Sequence, residues 1–167
     1  MAMLYLIEGP VGAGKSTHAG RLALAERAVH LNLDEWMVNL FSPDRPSDGF
    51  MAWYGERKDR CIEQIWRLTE RLMEADVTTV LELGLVQRAA REHFYGRVDA
   101  AGFPLSVHVL EAGLETRRQR VRSRNESGNG TFRMVVSDEV FELANGAWEP
   151  PDDAECEARG IEWVRTD

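Results

Sequence analysis

A three-layer α/β domain, with helices on both faces of a parallel sheet, is the fold class this sequence predicts, and three observations carry it. Five strand-like runs alternate with helical stretches, an order that implies right-handed crossovers between parallel strands. Runs such as "TTVLELG" and "LSVHVL" are apolar almost without interruption, as strands covered on both faces are. Directly behind the first run stands "EGPVGAGKST", residues 8–17, so a glycine-rich turn joins the first strand to the first helix. At 167 residues and 44% hydrophobic, the chain suits one core, and residues 1–167 are expected to form one domain.

The first strand spans Met3–Ile7. Gly9, Gly14, Lys15 and Ser16 satisfy G-x-x-x-x-G-K-[ST] between a strand and a helix, the context in which this spacing binds nucleotide. Gly9, Gly12 and Gly14 let the backbone turn tightly and aim successive N–H groups, that of Ala13 among them, at phosphate oxygens. The helix expected over Lys15–Ala28 adds its positive end. Lys15 is expected to reach the β- and γ-phosphates, Ser16 to bind the Mg²⁺ that bridges them, and Thr17 to extend the cradle toward the α-phosphate. The cofactors read from these residues are ATP and Mg²⁺.

The second strand, Val29–Leu33, runs into Asp34 in "HLNLDEW". A carboxylate there can accept a proton from an incoming hydroxyl, and Asp34 is also a good N-cap for a helix starting at Glu35; the two roles can coexist. Glu35 suits the helix dipole. After the loop "SPDRPSDG", residues 42–49, a long helix is expected near Phe50–Ala75, making residues 35–75 the substrate-side segment. Its aromatics, Trp36, Phe41, Phe50, Trp53 and Tyr54, divide between core and pocket, with Trp36, Trp53 and Tyr54 as pocket candidates.

The third strand, Val77–Leu83, carries Glu82 at the Walker B-like position. There a carboxylate holds Mg²⁺ directly or through water, and the alternative is an ion pair with Arg88 or Arg91. Beside the glycine-rich loop the metal role is preferred. A helix over Gln87–Ala101 and a strand over Leu105–Leu110 follow. "ETRRQRVRSRN", residues 115–125, then sets Arg117, Arg120 and Arg124 on one helical face and Arg118 and Arg122 on a second. Elsewhere this would be a solvated basic face. Next to a phosphate loop it reads as a lid, about 114–136, that clamps phosphate, with its helix over Leu114–Arg124 and "NESGNG", residues 125–130, flexible. A helix over Ser137–Asn145, a loop at "EPPDD", residues 149–153, and a strand over Ile161–Val164 complete the chain. Ligands of parallel sheets lie beyond the carboxyl ends of the strands, where Asp34 and Glu82 fall.

A formal charge of −8 from 20 basic and 28 acidic residues argues against nucleic acid or anionic membrane as a partner. The expected partners are a nucleotide and a small-molecule acceptor. Cys61 and Cys156 have no metal-ligand spacing and no secretory signal precedes them, so reduced, packing cysteines in a cytoplasmic protein are expected. His18, His30, His93 and His108 read as structural or surface residues. No apolar run approaches a membrane span.

The ordered set "GPVGAGKST", "LDEW", "VLELGLVQRAAR" and "ETRRQRVRSRN" resembles the small P-loop kinases, in the branch of zeta toxins and chloramphenicol phosphotransferase, and within it the bacterial "AAA family ATP-binding proteins". The resemblance runs through nearly the whole chain. It implies a sheet ordered 2-3-1-4-5, a base after the second strand that maps onto Asp34, and lid arginines that map onto Arg117, Arg120 and Arg124. Arg88 and Arg91 match an "RxxR" spacing that holds substrate or phosphate in such proteins. Glu82 departs from the usual aspartate. The implied activity is transfer of the γ-phosphate of ATP to a hydroxyl of a sugar, nucleotide sugar or antibiotic. A nucleoside or nucleotide kinase, with Arg45, Arg57, Lys58 and Arg60 as anion contacts, and a non-catalytic nucleotide switch are the alternatives.

Overall fold

The computed structural model describes residues 1–127 and 135–167. Along the chain run β1 (Leu4–Glu8), α1 (Lys15–Glu26), β2 (Val29–Asn32), α2 (Leu33–Phe41), a 3-10 turn at Ser42–Asp44, α3 (Phe50–Glu74), β3 (Thr79–Glu82), α4 (Arg88–Ala101), β4 (Leu105–Glu111), α5 (Leu114–Ser127), α6 (Asp138–Ala147), α7 (Asp153–Arg159) and β5 (Glu162–Arg165). The strands form one sheet in the order β2-β3-β1-β4-β5, every pairing parallel. This is the order that the resemblance implies. In the central pairing Leu4, Tyr5 and Leu6 lie opposite Thr79, Val80 and Leu81.

The two-residue period of the strands divides the core into two layers. Leu4, Leu6, Leu81, Val107 and Val109 meet Met37 of α2, Ile65 and Trp66 of α3, and Phe94 and Val98 of α4. Ile7, Val80 and Leu110 face the other way, onto Ala19 and Ala23 of α1. Complete burial of each such aliphatic side chain stabilises the fold by about 2 kcal/mol. A small third cluster joins Val121 of α5 and Phe141 of α6 to Val136, with Val11 of the glycine-rich loop against it.

Several boundaries shift by one or two residues from the sequence reading, and three differences bear on the site. α2 begins at Leu33 and its cap is Asn32, whose side chain accepts from Glu35 N at 3.3 Å; Asp34 lies in the first turn and is not the N-cap. α5 runs on to Ser127, so residues 125–127 of the expected flexible segment are helical, while 128–134 of the expected lid lie outside the described residues. α7 fills the stretch between the expected loop, residues 149–153, and the last strand, for which the sequence reading named no element. Asp152 caps it by accepting from Glu155 N at 2.8 Å, and Gly160 ends it in the left-handed region. Among the described residues no helix is long and apolar enough to cross a membrane.

Candidate active site

The turn between β1 and α1 is closed by backbone that tolerates no side chain. Gly9 (φ +147°) and Gly12 (φ +78°) would place a Cβ 2.8 Å from Leu110 O and 2.7 Å from Arg117 O, separations no substituent can occupy. Ala13 N closes the turn on Pro10 O at 3.2 Å, and the Ala13 side chain is buried among the α1-side residues. Thr17 is exposed on the first turn of α1. Lys15 Nζ donates to Gly9 O at 2.9 Å and Pro10 O at 3.0 Å, so its ammonium is folded over the loop it belongs to. Burial depresses its pKa, opposed by the charges of Glu82, Glu8 and Asp34 and assisted by Arg124.

Ser16 Oγ donates to Glu82 Oε1 at 2.8 Å. The second oxygen, Oε2, accepts from Asn32 Nδ2 at 2.7 Å and lies 3.2 Å from His30 Nε2. Glu82 is therefore aimed by β2 at the start of α1, and it pairs with neither Arg88 nor Arg91. A hydroxyl beside a fixed carboxylate is an oxygen donor set that fits Mg²⁺, which takes one or two protein groups and completes its shell from phosphate and water. Among the described residues no cluster of three or more His, Cys, Asp or Glu suited to a metal occurs, so a closed all-protein cage is not what these residues build.

Asp34 is an exposed residue on the first turn of α2, at the mouth of a crevice. Burial raises its pKa, Glu82 adds to the rise, and Lys15, Arg124 and Lys58 pull against it. Tyr54 stands on the same crevice, its hydroxyl pushed up to about 12 by burial and by the Asp34 charge. Asp34, Trp53 and Tyr54 line a small cavity of about 30 Å³ with Phe50, Met37 and Arg45. Trp36, expected to share this pocket, instead packs against the main core.

The arginines of α5 separate by face. Arg118 is tied to Glu115 and Glu142, and Arg122 to Asp138 at 3.0 Å, all on the outer side. The other row turns inward, and its members differ. Arg117, expected to bind phosphate, is buried and committed to Ala112 O (3.1 Å), Val11 O (3.2 Å) and Asn145 Oδ1 (2.9 Å); it is a strut between α5, α6 and the glycine-rich loop. Arg120 donates to Thr166 Oγ1 at 2.9 Å, to Thr166 O and, at 3.4 Å, to Gly12 O. Arg124 has a buried Nε without a partner among the described residues, and its charge reaches both Lys15 and Asp34.

Arg88 and Arg91 lie outside this group. Arg88 is on the surface with Glu92, Asp152 and the carboxylate of Glu149, to which its backbone N–H donates. Arg91 is fully buried, its fork on Glu155 at 2.6 and 3.0 Å and its remaining donors on Leu85 O and Val86 O. Neither is placed to hold a substrate at Asp34.

One residue escaped the sequence reading. Glu8, the last residue of β1, is fully buried on the α3–α4 face. Its Oε1 accepts weakly from Leu85 N at 3.4 Å and its Oε2 has no partner among the described residues. Burial lifts its pKa to about 7 against the pull of Lys15 and Arg91. An acid closing a strand buried on both faces was the available signal, since buried carboxylates are rare unless paired.

Comparison with known proteins agrees with the fold. A presumed kinase from Chloroflexus aurantiacus superposes with a TM-score of 0.74 at 20% identity, over 99% of this chain and 85% of that one. Chaetomium thermophilum Kti12, solved with ADP-AlF3, gives 0.70 at 14% identity over 98% and 89%. The Mycobacterium tuberculosis APS kinase CysC, solved with AMPPNP and APS, gives 0.65 at 12% identity over 99% and 89%. At such identities the likeness is one of fold. No curated protein matches the sequence. The AAA domain family AAA_33 matches residues 4–151, nearly the whole sheet and every residue of the crevice described above, and the chain belongs to that family.

Proposed function

We propose that the protein is an ATP- and Mg²⁺-dependent phosphotransferase that moves the γ-phosphate to a hydroxyl group of a small molecule. The observation that carries this reading is the company of Asp34: one carboxylate, its pKa raised by burial, within reach of the charges of Lys15, Arg124 and Lys58. A nucleotide switch needs no base at this place.

The transfer balances on these groups. The acceptor oxygen forms a bond to the γ-phosphorus, the bond from that phosphorus to the β,γ-bridging oxygen breaks, ADP leaves with the electron pair, and the hydroxyl proton passes to Asp34. A raised pKa makes the Asp34 carboxylate a stronger base than an ordinary aspartate. Lys15, released from Gly9 O and Pro10 O, would exchange two carbonyls for phosphate oxygens. Arg124 would bring its unfilled Nε to charge that builds on the transferred group. Mg²⁺, when bound, would be held by Ser16 and Glu82 and would neutralise the β- and γ-oxygens.

The candidate contacts of a phosphorylated acceptor are only partly engaged elsewhere. Arg45 lies over the Phe50 ring at 4.2 Å, Arg57 over Trp53 at 4.5 Å while donating to Trp53 O, and Arg60 is beside Glu56. Of the four, Arg45 and Lys58 carry no ion pair among the described residues. Incubation with Mg²⁺, γ-labelled ATP and a pooled metabolite and antibiotic library tests the proposal. Label in an organic product supports it, and label found only as free phosphate with every pool refutes it.

A further inference from the structure

Glu8 is a buried carboxyl that the transfer reaction does not use, and it stands at the root of the phosphate loop. It closes β1, its side chain is fully enclosed, and Gly9 of the glycine-rich turn follows it directly. Leu4 and Leu6 of β1 face the layer built from α2, α3 and α4, and Glu8, two residues on, points the same way. Glu82 turns to the opposite face of the sheet, where it meets Ser16.

The surroundings of Glu8 offer little to a negative charge. Its layer contains Leu6, Leu83, Leu85 and Phe94, and α2 and α3 bring Met37, Ile65 and Trp66 to it. Oε1 accepts only from Leu85 N, at 3.4 Å, and no donor reaches Oε2 among the described residues. On α4, Arg91 makes its bonds to Glu155, Leu85 O and Val86 O, and Tyr95 gives its hydroxyl to Glu155 as well. The cation that remains is Lys15 of α1. Its Nζ donates to Gly9 O at 2.9 Å and to Pro10 O at 3.0 Å, so the ammonium sits over the two residues that come next after Glu8. Burial disfavours the ionised form of Glu8 and the charge of Glu82 adds to that, while Lys15 and, more weakly, Arg91 oppose it.

Lys15 is also the cation that a nucleotide claims. A phosphate group in the turn between β1 and α1 draws the ammonium from the two carbonyls toward its own oxygens, and it brings negative charge to the residues beside Glu8. Both changes work against the carboxylate. Loss of one close opposite charge raises the proton affinity of a carboxyl about tenfold or more.

We infer that nucleotide binding is coupled to protonation of Glu8: as phosphate enters the loop, a proton from solvent forms an O–H bond on a Glu8 carboxyl oxygen and the buried charge is discharged. Affinity for nucleotide then falls as pH rises, over the range between the pKa of Glu8 in the free protein and its higher value in the complex. The inference rests on the nucleotide-binding part of the reading above and requires nothing of the acceptor or of the transfer step.

Titration calorimetry of the full chain with Mg·ADP, which carries no γ-phosphate to transfer, tests this. At about pH 7.5, in buffers of different ionisation enthalpy, the parent protein should take up about half a proton per nucleotide more than Glu8→Gln does. Lys15, Asp34 and the nucleotide are common to both, so the difference isolates Glu8. From about pH 6.5 to 8.5 the Kd for Mg·ADP should rise about fivefold more in the parent than in Glu8→Gln. Equal proton uptake by the two proteins overturns the inference. Carbon-13 NMR of the parent protein, labelled at the glutamate side-chain carboxyl, follows the same group without a substitution and apart from Asp34. One glutamate signal with its midpoint near neutrality, moving to higher pH when Mg·ADP is added, is the expected result. A midpoint that stays in place, or no glutamate that titrates near neutrality, overturns the inference even if Glu8→Gln does not fold. Binding of Mg·ADP without these linked changes leaves the nucleotide reading standing, and no binding of Mg·ADP at any pH overturns both.

Discussion

Arg91 and Arg124 both take guanidinium nitrogen out of water, and they end differently. At the corner between α4 and α7 every face of the Arg91 fork is answered, by the two oxygens of Glu155 and by Leu85 O and Val86 O, and Trp148 stacks against it at 5.4 Å. Under α5 the Nε of Arg124 is buried and unanswered among the described residues, beside a lysine and a carboxylate whose pKa values are both displaced. A buried, filled fork is architecture, because it needs nothing from outside. An unfilled buried donor lowers stability, and a fold retains it where a ligand will complete it.

The comparison can be broken at either corner. The largest effect is expected at Lys15. Lys15→Ala should lower turnover on the order of 10³-fold and weaken ATP binding sharply, because the loop then has no cation at the β- and γ-phosphates; calorimetry showing undiminished ATP affinity would discard the phosphate-loop assignment. At the other corner Arg91→Met strands Glu155 in the core and should cost about 3–5 kcal/mol of stability. Denaturant unfolding should show most of that loss recovered in the double variant Arg91→Met, Glu155→Met. If the double variant is no more stable than the single, the pair is not a closed unit.

Asp34→Asn should cost on the order of 10²-fold in turnover while ATP still binds, and the acid limb of the rate profile should disappear with it. Normal turnover in that variant would leave the crevice without a base. Arg124→Ala should lower single-turnover rates about tenfold, and Arg122→Ala, whose partner Asp138 lies outside the crevice, less than twofold. Equal losses that vanish together at high salt would reduce the row to diffuse attraction.

The smallest effect concerns Glu8. Its folded pKa, about 7, is raised above the ordinary 4.5, so the neutral form is favoured by the fold. The associated stability is fully present below about pH 4.5 and is lost as pH climbs through 7. Melting temperatures of Glu8→Gln should therefore fall less than those of the parent protein between pH 5 and 8, and parallel curves would show that Glu8 finds a partner. His18 and His108, 2.9 Å apart, act in the opposite sense. Burial lowers both pKa values, so their contribution is lost as pH falls below the ordinary histidine value of 6.5.

The phosphate loop and the strand order were legible because each rests on a local pattern: glycine spacing, and apolar runs that only a doubly covered sheet explains. The two faces of the arginine helix followed from its period, since Arg118 and Arg122 do turn outward. What that period could not tell is which inward arginine is already spent. Arg117 is taken by Val11 O and Asn145, partners 106 and 28 residues away, and only the tertiary structure brings them together. Trp36 and Trp53 look alike in sequence, and only the neighbours that the fold brings to each separate core from crevice. α7 was readable, from Asp152 as a cap with Glu155 three residues on and Gly160 as a stop, but the sequence reading ended the loop at 153 and assigned no element before the strand at Ile161. The Glu155 side chain then serves Arg91 rather than its own helix end.

Gly12 has no room for a Cβ because the backbone of Arg117 occupies that space, while Arg117 and Arg120 reach back to Val11 O and Gly12 O. The first two turns of α5 are thus clamped to the phosphate loop and move as part of it. Arg124, one turn further along α5, is the inward arginine whose buried Nε has no partner among the described residues.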